Sequence, residues 1–77
     1  MRDEVVGMIA KLVRRPPQSL SDDDGVGTLD SWDSMTHLQI CLEMENRFGV
    51  VMDLDRIAAA KTVRDFVALA AKPGAAP

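Results

Sequence analysis

Two Asp-Ser pairs lie close together in the segment LDSWDSM, as Asp30-Ser31 and Asp33-Ser34. A serine hydroxyl can accept a phosphate ester or act as a nucleophile, and an aspartate ahead of a helix is a common N-cap. His37 follows Ser34 at a spacing that brings two side chains together on one face of a helix. The segment is therefore consistent with a modified serine, a catalytic Ser-His pair or an ordinary helix start.

A catalytic site built from Ser34, His37 and Asp33 is the first of these alternatives. Such a site needs a shielded pocket and an oxyanion hole, and a chain of 77 residues offers little structure from which to build them. His37 is more simply an exposed or partly packed residue near the start of a helix. We therefore predict that the protein is not an enzyme.

The acidic run SDDDG, residues 21–25, is superficially similar to a calcium-binding EF-hand loop. When Gly25 takes the place of the invariant glycine of that loop, Leu20 falls at its first ligand position and Ser31 at its last. Neither residue supplies the carboxylate oxygen that those positions need. No metal site is predicted, and the three aspartates are interpreted as a solvated loop.

Helical periodicity is clear before residue 16 and absent from there to residue 33. Apolar residues recur at helical spacing in the first segment, and Pro16-Pro17 must end that helix. The loop that follows is long for so small a domain. Its candidates for contact with the core are Leu20, Val26 and Leu29.

Capping residues mark the ends of three further helices. The second is predicted over residues 33–48, with Gly49 as its stop. The third begins at residue 53 or 54 and ends near residue 60, and the fourth runs over 62–71 with Asp65 as a capping-box partner. The sequence thus predicts an all-α fold, a small four-helix bundle of three longer helices and a short third one, with a long loop between helices one and two.

The composition indicates one small domain with an aliphatic core. The chain is 47% hydrophobic but only 4% aromatic, and its net charge is −3. Acidic residues cluster in the loop and no basic stripe offsets them, so neither nucleic acid nor a membrane is expected as a partner. No apolar run is long enough to span a membrane, and the N-terminus lacks the features of a signal peptide. The single cysteine, Cys41, suits a core position and a reducing cytoplasm.

The second helix carries more apolar surface than one packed face requires. At about 100° per residue its apolar arc covers roughly 220°, whereas a stripe a little over 100° wide suffices for packing. Two interpretations are open: a bundle that wraps the helix from three sides, or a docking strip at the edge formed by Met35 and Leu42, beside Ser34. The arc consists of Ile40, Met44, Phe48, Cys41, Leu38, Leu42 and Met35.

Ser34 is better placed than Ser31 to bear a phosphate ester. With Asp33 as N-cap, Ser34 is the first helical residue, and its hydroxyl lies beside free N–H groups at the positive end of the helix dipole. Ser31 lies in the loop, without that field. Trp32 is expected to anchor the loop and to lean on His37 as a staple.

Four segments in a fixed order form one combined pattern: Asp33-Ser34-Met35, Leu42-Glu43-Met44-Glu45, Phe48-Gly49-Val50 and Thr62-Val63. This pattern resembles the acyl and peptidyl carrier proteins that bind phosphopantetheine, whose motif is Asp-Ser-Leu at the start of the second helix. The spacing fits without a gap when Ser34 is the modified serine, and it fails for Ser31. The resemblance covers nearly the whole chain, including the long loop.

The resemblance implies that a phosphopantetheinyl transferase attaches the 4′-phosphopantetheine arm of coenzyme A to Ser34, with Asp33 flanking the site. The arm would hold an acyl, aminoacyl or peptidyl intermediate as a thioester. An acyl- or aminoacyl-loading enzyme would supply it, and a ketosynthase, condensation enzyme or acyltransferase would receive it. We expect a cytoplasmic monomer with a carrier domain over residues 1–71 and a flexible tail over residues 72–77.

By the same resemblance, the second helix meets the partner enzymes. The predicted partner surface consists of Met35, Thr36, Gln39, Leu42 and Glu45. The chain departs from carriers of bacterial fatty-acid synthesis, whose second helix is strongly acidic, in being less acidic there. It is closer to stand-alone carriers of polyketide, nonribosomal-peptide or aminoacyl-loading pathways. A fatty-acid carrier and an unmodified helical interaction domain remain the alternatives.

Overall fold

The computed structural model describes residues 2–71, which form four α-helices and one short 3-10 turn. In chain order these are α1 (Arg2–Val13), the turn (Pro17–Ser19), α2 (Ser34–Phe48), α3 (Leu54–Ala59) and α4 (Val63–Ala70). The predicted all-α four-helix fold is confirmed. Within this part of the chain, no helix is both long and apolar enough to cross a membrane. The predicted tail lies outside the described residues, and the domain boundary stays a prediction.

The ends of α2 and α4 are set by the capping residues that the sequence contains. The Asp33 carboxylate accepts a hydrogen bond from the Thr36 N–H at 2.9 Å, and Gly49 ends α2 with a left-handed φ of 66°. At α4, the Thr62 hydroxyl accepts from the Asp65 N–H at 3.3 Å, and the Asp65 carboxylate accepts from the Thr62 N–H at 3.2 Å. These bonds satisfy backbone groups that lack partners inside the helix. The predicted caps are confirmed.

Three helices supply most of the core, and α3 lies on its surface. The largest fully buried side chains come from α1, α2, α4 and the residue before the α2 cap: Val5, Ile9, Val13, Trp32, Ile40, Met44, Val63 and Phe66. In contrast, α3 contributes no buried residue, and Ile57 packs only partly against the core. Cys41 is buried as predicted, and its burial, together with the nearby Glu45 carboxylate, raises the pKa of the thiol.

The acidic run of the long loop is fastened to the start of α4. The carbonyl of Asp22 accepts from the Arg64 N–H at 3.0 Å, and that of Asp24 accepts from the Val63 N–H at 2.9 Å. The Asp23 carboxylate also pairs with the Arg64 guanidinium at 2.6 Å. The interpretation of a merely solvated run is therefore wrong for Asp22 and Asp24, which are half-buried because their backbone caps α4.

Two of the three predicted apolar anchors of the loop contact the core. Leu20 and Leu29 pack partly against it. The prediction is wrong for Val26, whose side chain is 46% exposed. Val26 holds the loop through its backbone instead, because its N–H donates to the Lys61 carbonyl at 3.3 Å.

Gly25 occupies the point where the loop comes closest to the start of α4. A Cβ at this position would lie 2.0 Å from the Lys61 carbonyl oxygen, so Gly25→Ala must push the loop away from α4. We expect the free energy of unfolding to fall by about 1–3 kcal/mol, as in other cases of overpacking. Urea unfolding followed by circular dichroism measures the change.

Gly7→Ala is the matched control. A Cβ at Gly7, inside α1, meets no atom within 4 Å, and alanine is favoured over glycine inside a helix by about 1 kcal/mol. This variant should therefore be more stable than the wild type. Equal effects of the two substitutions would show that the close approach at Gly25 does not constrain the loop.

Candidate functional site: the start of α2

Ser34 is the first residue of α2, and it is exposed. Because the first N–H groups of a helix have no intrahelical partner, those of Ser34 and Met35 form the positive end of α2. A negatively charged ester on the Ser34 hydroxyl oxygen would be stabilised at this end. The structure therefore brings Asp33 and Ser34 together in the arrangement that the sequence predicts.

The Asp33 carboxylate fixes this end of the helix. Its hydrogen bond from the Thr36 backbone N–H is the main cause that lowers the pKa of Asp33 below the ordinary value. The carboxylate is therefore ionised at neutral pH, and its charge is directed toward the helix N-terminus. Thr36, one of the predicted partner residues, is half-buried.

Ser31 lies in a different environment from Ser34. Its Oγ is buried and has no hydrogen-bond partner within residues 2–71. A phosphate ester on this oxygen would have to displace the atoms that bury it or lie out of contact with solvent, which strongly disfavours an anion. The structure thus separates the two serines by accessibility, which the sequence could not do.

Trp32 and His37, which flank Ser34 in the sequence, form a buried aromatic pair. The indole ring is 1% exposed and lies 6.2 Å from the His37 ring and 6.3 Å from the Phe66 ring, between centroids. The predicted contact between Trp32 and His37 is confirmed. The expectation of an exposed or partly packed His37 is wrong, because the residue is only 8% exposed. Both of its ring nitrogens have partners inside the protein: the Trp32 N–H at 3.1 Å and the Ile57 carbonyl at 3.2 Å.

An apolar strip runs along the exposed face of α2. This α2 strip consists of Met35, Leu38 and Leu42, which are 70%, 51% and 58% exposed. Of the two interpretations of the apolar arc, wrapping from three sides is therefore wrong. Gln39 and Glu45 of the predicted partner surface are also exposed. The predicted surface omits Leu38, which its place in the apolar arc could have indicated.

Acidic residues of α2 have partners within the chain. Glu43 forms an ion pair with Arg47 at 2.9 Å, one turn along the helix. The Glu45 carboxylate accepts a hydrogen bond from the Met52 N–H at 3.2 Å. Apolar side chains rather than unpaired carboxylates therefore dominate the surface around the α2 strip.

The chain matches the family model of the phosphopantetheine attachment site over residues 3–70. The protein belongs to this carrier family. Its members covalently bind 4′-phosphopantetheine, interact with phosphopantetheinyl transferases and biosynthetic enzymes, and are generally carriers rather than catalysts. No curated protein and no solved structure matches the chain.

The carrier also has a groove of about 340 Å³ between α3 and α4. Its walls are largely apolar, and Arg56 and Asp65 are its charged residues. No residue of α2 lines this groove, so it is built from different residues than the start of α2 and the α2 strip. The apolar walls are formed by Val50, Ala59, Ala60, Ala68 and Leu69.

Replacement of Asp33 tests its role at the start of α2. Asp33→Ala removes the oxygen that accepts from Thr36, and we expect the melting temperature to fall by about 5 °C. Asp33→Asn keeps a neutral acceptor, so at neutral pH it should be less stable than the wild type and more stable than Asp33→Ala. Thermal unfolding followed by circular dichroism measures both variants.

The same pair of variants gives a pH test. The pKa of Asp33 is lower in the folded protein than in the unfolded chain. The stability that its ionised carboxylate contributes is therefore complete above the ordinary aspartate pKa of about 3.9, and it is lost as the pH falls through the lowered pKa. The wild type should therefore lose more stability than Asp33→Asn in this acidic window. An identical acid dependence of the two proteins would contradict the role of the ionised carboxylate.

Proposed function

We propose that the protein carries acyl, aminoacyl or peptidyl intermediates on a 4′-phosphopantetheine group attached to Ser34. The observation that supports this choice of serine is the contrast between exposed Ser34 at the start of α2 and the buried Oγ of Ser31. When bound, the group supplies a terminal thiol that holds the intermediate as a thioester. Tethering keeps the intermediate at a high effective concentration near each partner's active site.

The residues at the start of α2 suit the attachment of a phosphodiester. The Ser34 hydroxyl is the acceptor, the N–H groups of Ser34 and Met35 stabilise the added negative charge, and Asp33 holds the helix end. His37 has both ring nitrogens engaged with Trp32 and Ile57, so it does not serve Ser34 as a base. This supports a carrier that catalyses no reaction itself and relies on a transferase for its modification.

The α2 strip is the proposed docking surface for the transferase, for the enzyme that loads the intermediate and for the enzyme that receives it. The acidic residues Glu43 and Glu45 are engaged within the chain, so docking should depend on apolar contact more than on charge. Docking through apolar contact favours a carrier of specialised polyketide, nonribosomal-peptide or aminoacyl-loading pathways. The proposed carrier works as a monomer in the cytoplasm. A carrier of primary fatty-acid synthesis is the alternative within the family.

Intact mass spectrometry tests the attachment site. The protein is incubated with coenzyme A and a broad-specificity phosphopantetheinyl transferase, beside the variants Ser31→Ala and Ser34→Ala. Wild type and Ser31→Ala should each gain one phosphopantetheine, and Ser34→Ala should gain none because it lacks the acceptor oxygen.

Circular dichroism of all three proteins establishes that each is folded. If Ser34→Ala still gained the mass of one phosphopantetheine, the attachment site would be another residue. A folded wild type that gains no mass would favour an unmodified interaction domain, which shares the helical fold and the α2 strip.

The α2 strip is tested with Leu42→Ser, which removes apolar area without creating a cavity, since Leu42 is 58% exposed. We expect the KM of the transferase for the carrier to rise about fivefold or more, as for a residue central to an interface. A tenfold increase in ionic strength should change the wild-type value less than about twofold.

Val26→Ser is the control, because Val26 is similarly exposed but lies outside α2. It should leave KM near the wild-type value. A larger effect of Glu45→Gln than of Leu42→Ser, with a strong salt dependence, would show that docking is ionic rather than apolar.

A further inference from the structure

One side chain of α2 forms a hydrogen bond to the backbone of α3. Among residues 2–71, the hydrogen bond between the His37 ring and the Ile57 carbonyl, at 3.2 Å, is the side-chain hydrogen bond that joins α2 to α3. The other side-chain bonds of α3 are local: Asp53 caps its first turn, and Arg56 donates to the Val51 carbonyl. Because α3 contributes no buried residue and only Ile57 of this helix packs partly against the core, this hydrogen bond adds a directed contact to an otherwise light attachment.

The partners of the His37 ring indicate which of its nitrogens carries the proton. The indole N–H of Trp32 can only donate, so Nδ1 of His37 must be the acceptor. The carbonyl of Ile57 can only accept, so Nε2 must carry the proton. Both bonds are made together only by the neutral imidazole with its proton on Nε2.

The same ring is tied to the segment that leads into Ser34. Trp32 precedes the Asp33 cap, and the backbone carbonyl of Asp33 accepts from the His37 N–H at 2.9 Å. A continuous path of hydrogen bonds therefore runs from Trp32 through His37 to Ile57. We propose that His37 is a positioning residue that holds α3 and the lead-in to Ser34 in one fixed arrangement. The part that concerns Ser34 rests on the proposed function.

Packing alone does not explain the choice of histidine at this position. The ring contacts Trp32 and Phe66 edge-on or tilted, contacts that an apolar side chain could also make. A leucine at residue 37 would fill much of the same space and leave the Trp32 N–H and the Ile57 carbonyl without a partner. The comparison of a leucine with a glutamine, whose amide both donates and accepts, therefore isolates the hydrogen bonds.

The experiment uses His37→Leu, His37→Gln and, as a control of general destabilisation, Phe66→Leu. Long-range proton–nitrogen spectra of the wild type should show Nε2 protonated and Nδ1 unprotonated. Amide exchange is then followed at Ile57 and Ala60, whose N–H groups close the α3 turns. His37→Leu should speed their exchange about fivefold relative to amides of α1, in keeping with one lost hydrogen bond. His37→Gln should stay within about twofold of the wild type.

Phe66→Leu distinguishes the effect of a lost hydrogen bond from the effect of lost packing. It removes volume from the same aromatic cluster but no hydrogen bond, so it should speed exchange in α1 and α3 together and leave their ratio unchanged. If His37→Leu does not fold, Trp32→Phe replaces it: it removes the N–H donor together with part of a buried ring, and Phe66→Leu is then its control for the lost volume. Trp32→Phe should weaken the preference for the proton on Nε2.

Phosphopantetheine transfer to Ser34 provides the functional measurement. His37→Leu should be modified about fivefold more slowly than the wild type, and His37→Gln at nearly the wild-type rate. A wild-type ring with its proton on Nδ1, or equal behaviour of His37→Leu and His37→Gln, would overturn the positioning role. A wild type that is never modified would refute the proposed function, while the spectra and the exchange ratios would still decide the role of His37.

Discussion

The burial of Trp32 is the interaction on which the rest of the structure depends. Its indole contacts His37 of α2 and Phe66 of α4, while its own backbone belongs to the long loop. In a chain that is only 4% aromatic, Trp32 is the largest of the fully buried side chains. The end of the loop, the beginning of α2 and the middle of α4 thereby share one anchor. The location of Ser34 follows from it.

The helices divide into a firmly packed group and one lightly attached member. α1, α2 and α4 provide nearly all fully buried side chains, whereas α3 rests on them through Ile57 and the His37 hydrogen bond. This division suits the proposed attachment at Ser34. That residue stands at the start of α2, in the firmly packed group, where the geometry of the backbone is fixed by neighbouring side chains.

The parts of the fold that the sequence predicts correctly depend on local signals. The Asp33 cap, the Gly49 stop and the capping box of Thr62 each involve groups within a single helical turn. The placement of Ser34 directly after the Asp33 cap also depends only on residues within one helical turn. This part of the site could therefore be predicted before any tertiary structure was known.

The features that the sequence misses are decided by long-range contacts. The contact of His37 with Trp32 is local, but the residue is buried because Ile57 and Phe66, both distant in sequence, also contact its ring. Asp22 is half-buried because its carbonyl reaches the start of α4. The arc of apolar positions on α2 indicates Met35 and Leu42 as its free edge, but whether that edge is covered depends on how the other helices pack around α2.

Cys41 has a consequence for the chemistry of the modified carrier. Its thiol is buried, and the raised pKa keeps it protonated, whereas a nucleophilic sulfur must be an accessible thiolate. The polypeptide therefore offers no competing thiolate to a thioester held on the same molecule. Self-acylation and internal mixed disulfides are suppressed by the packing of α2. Thiol-directed reagents applied to the folded, modified protein would report the prosthetic group alone.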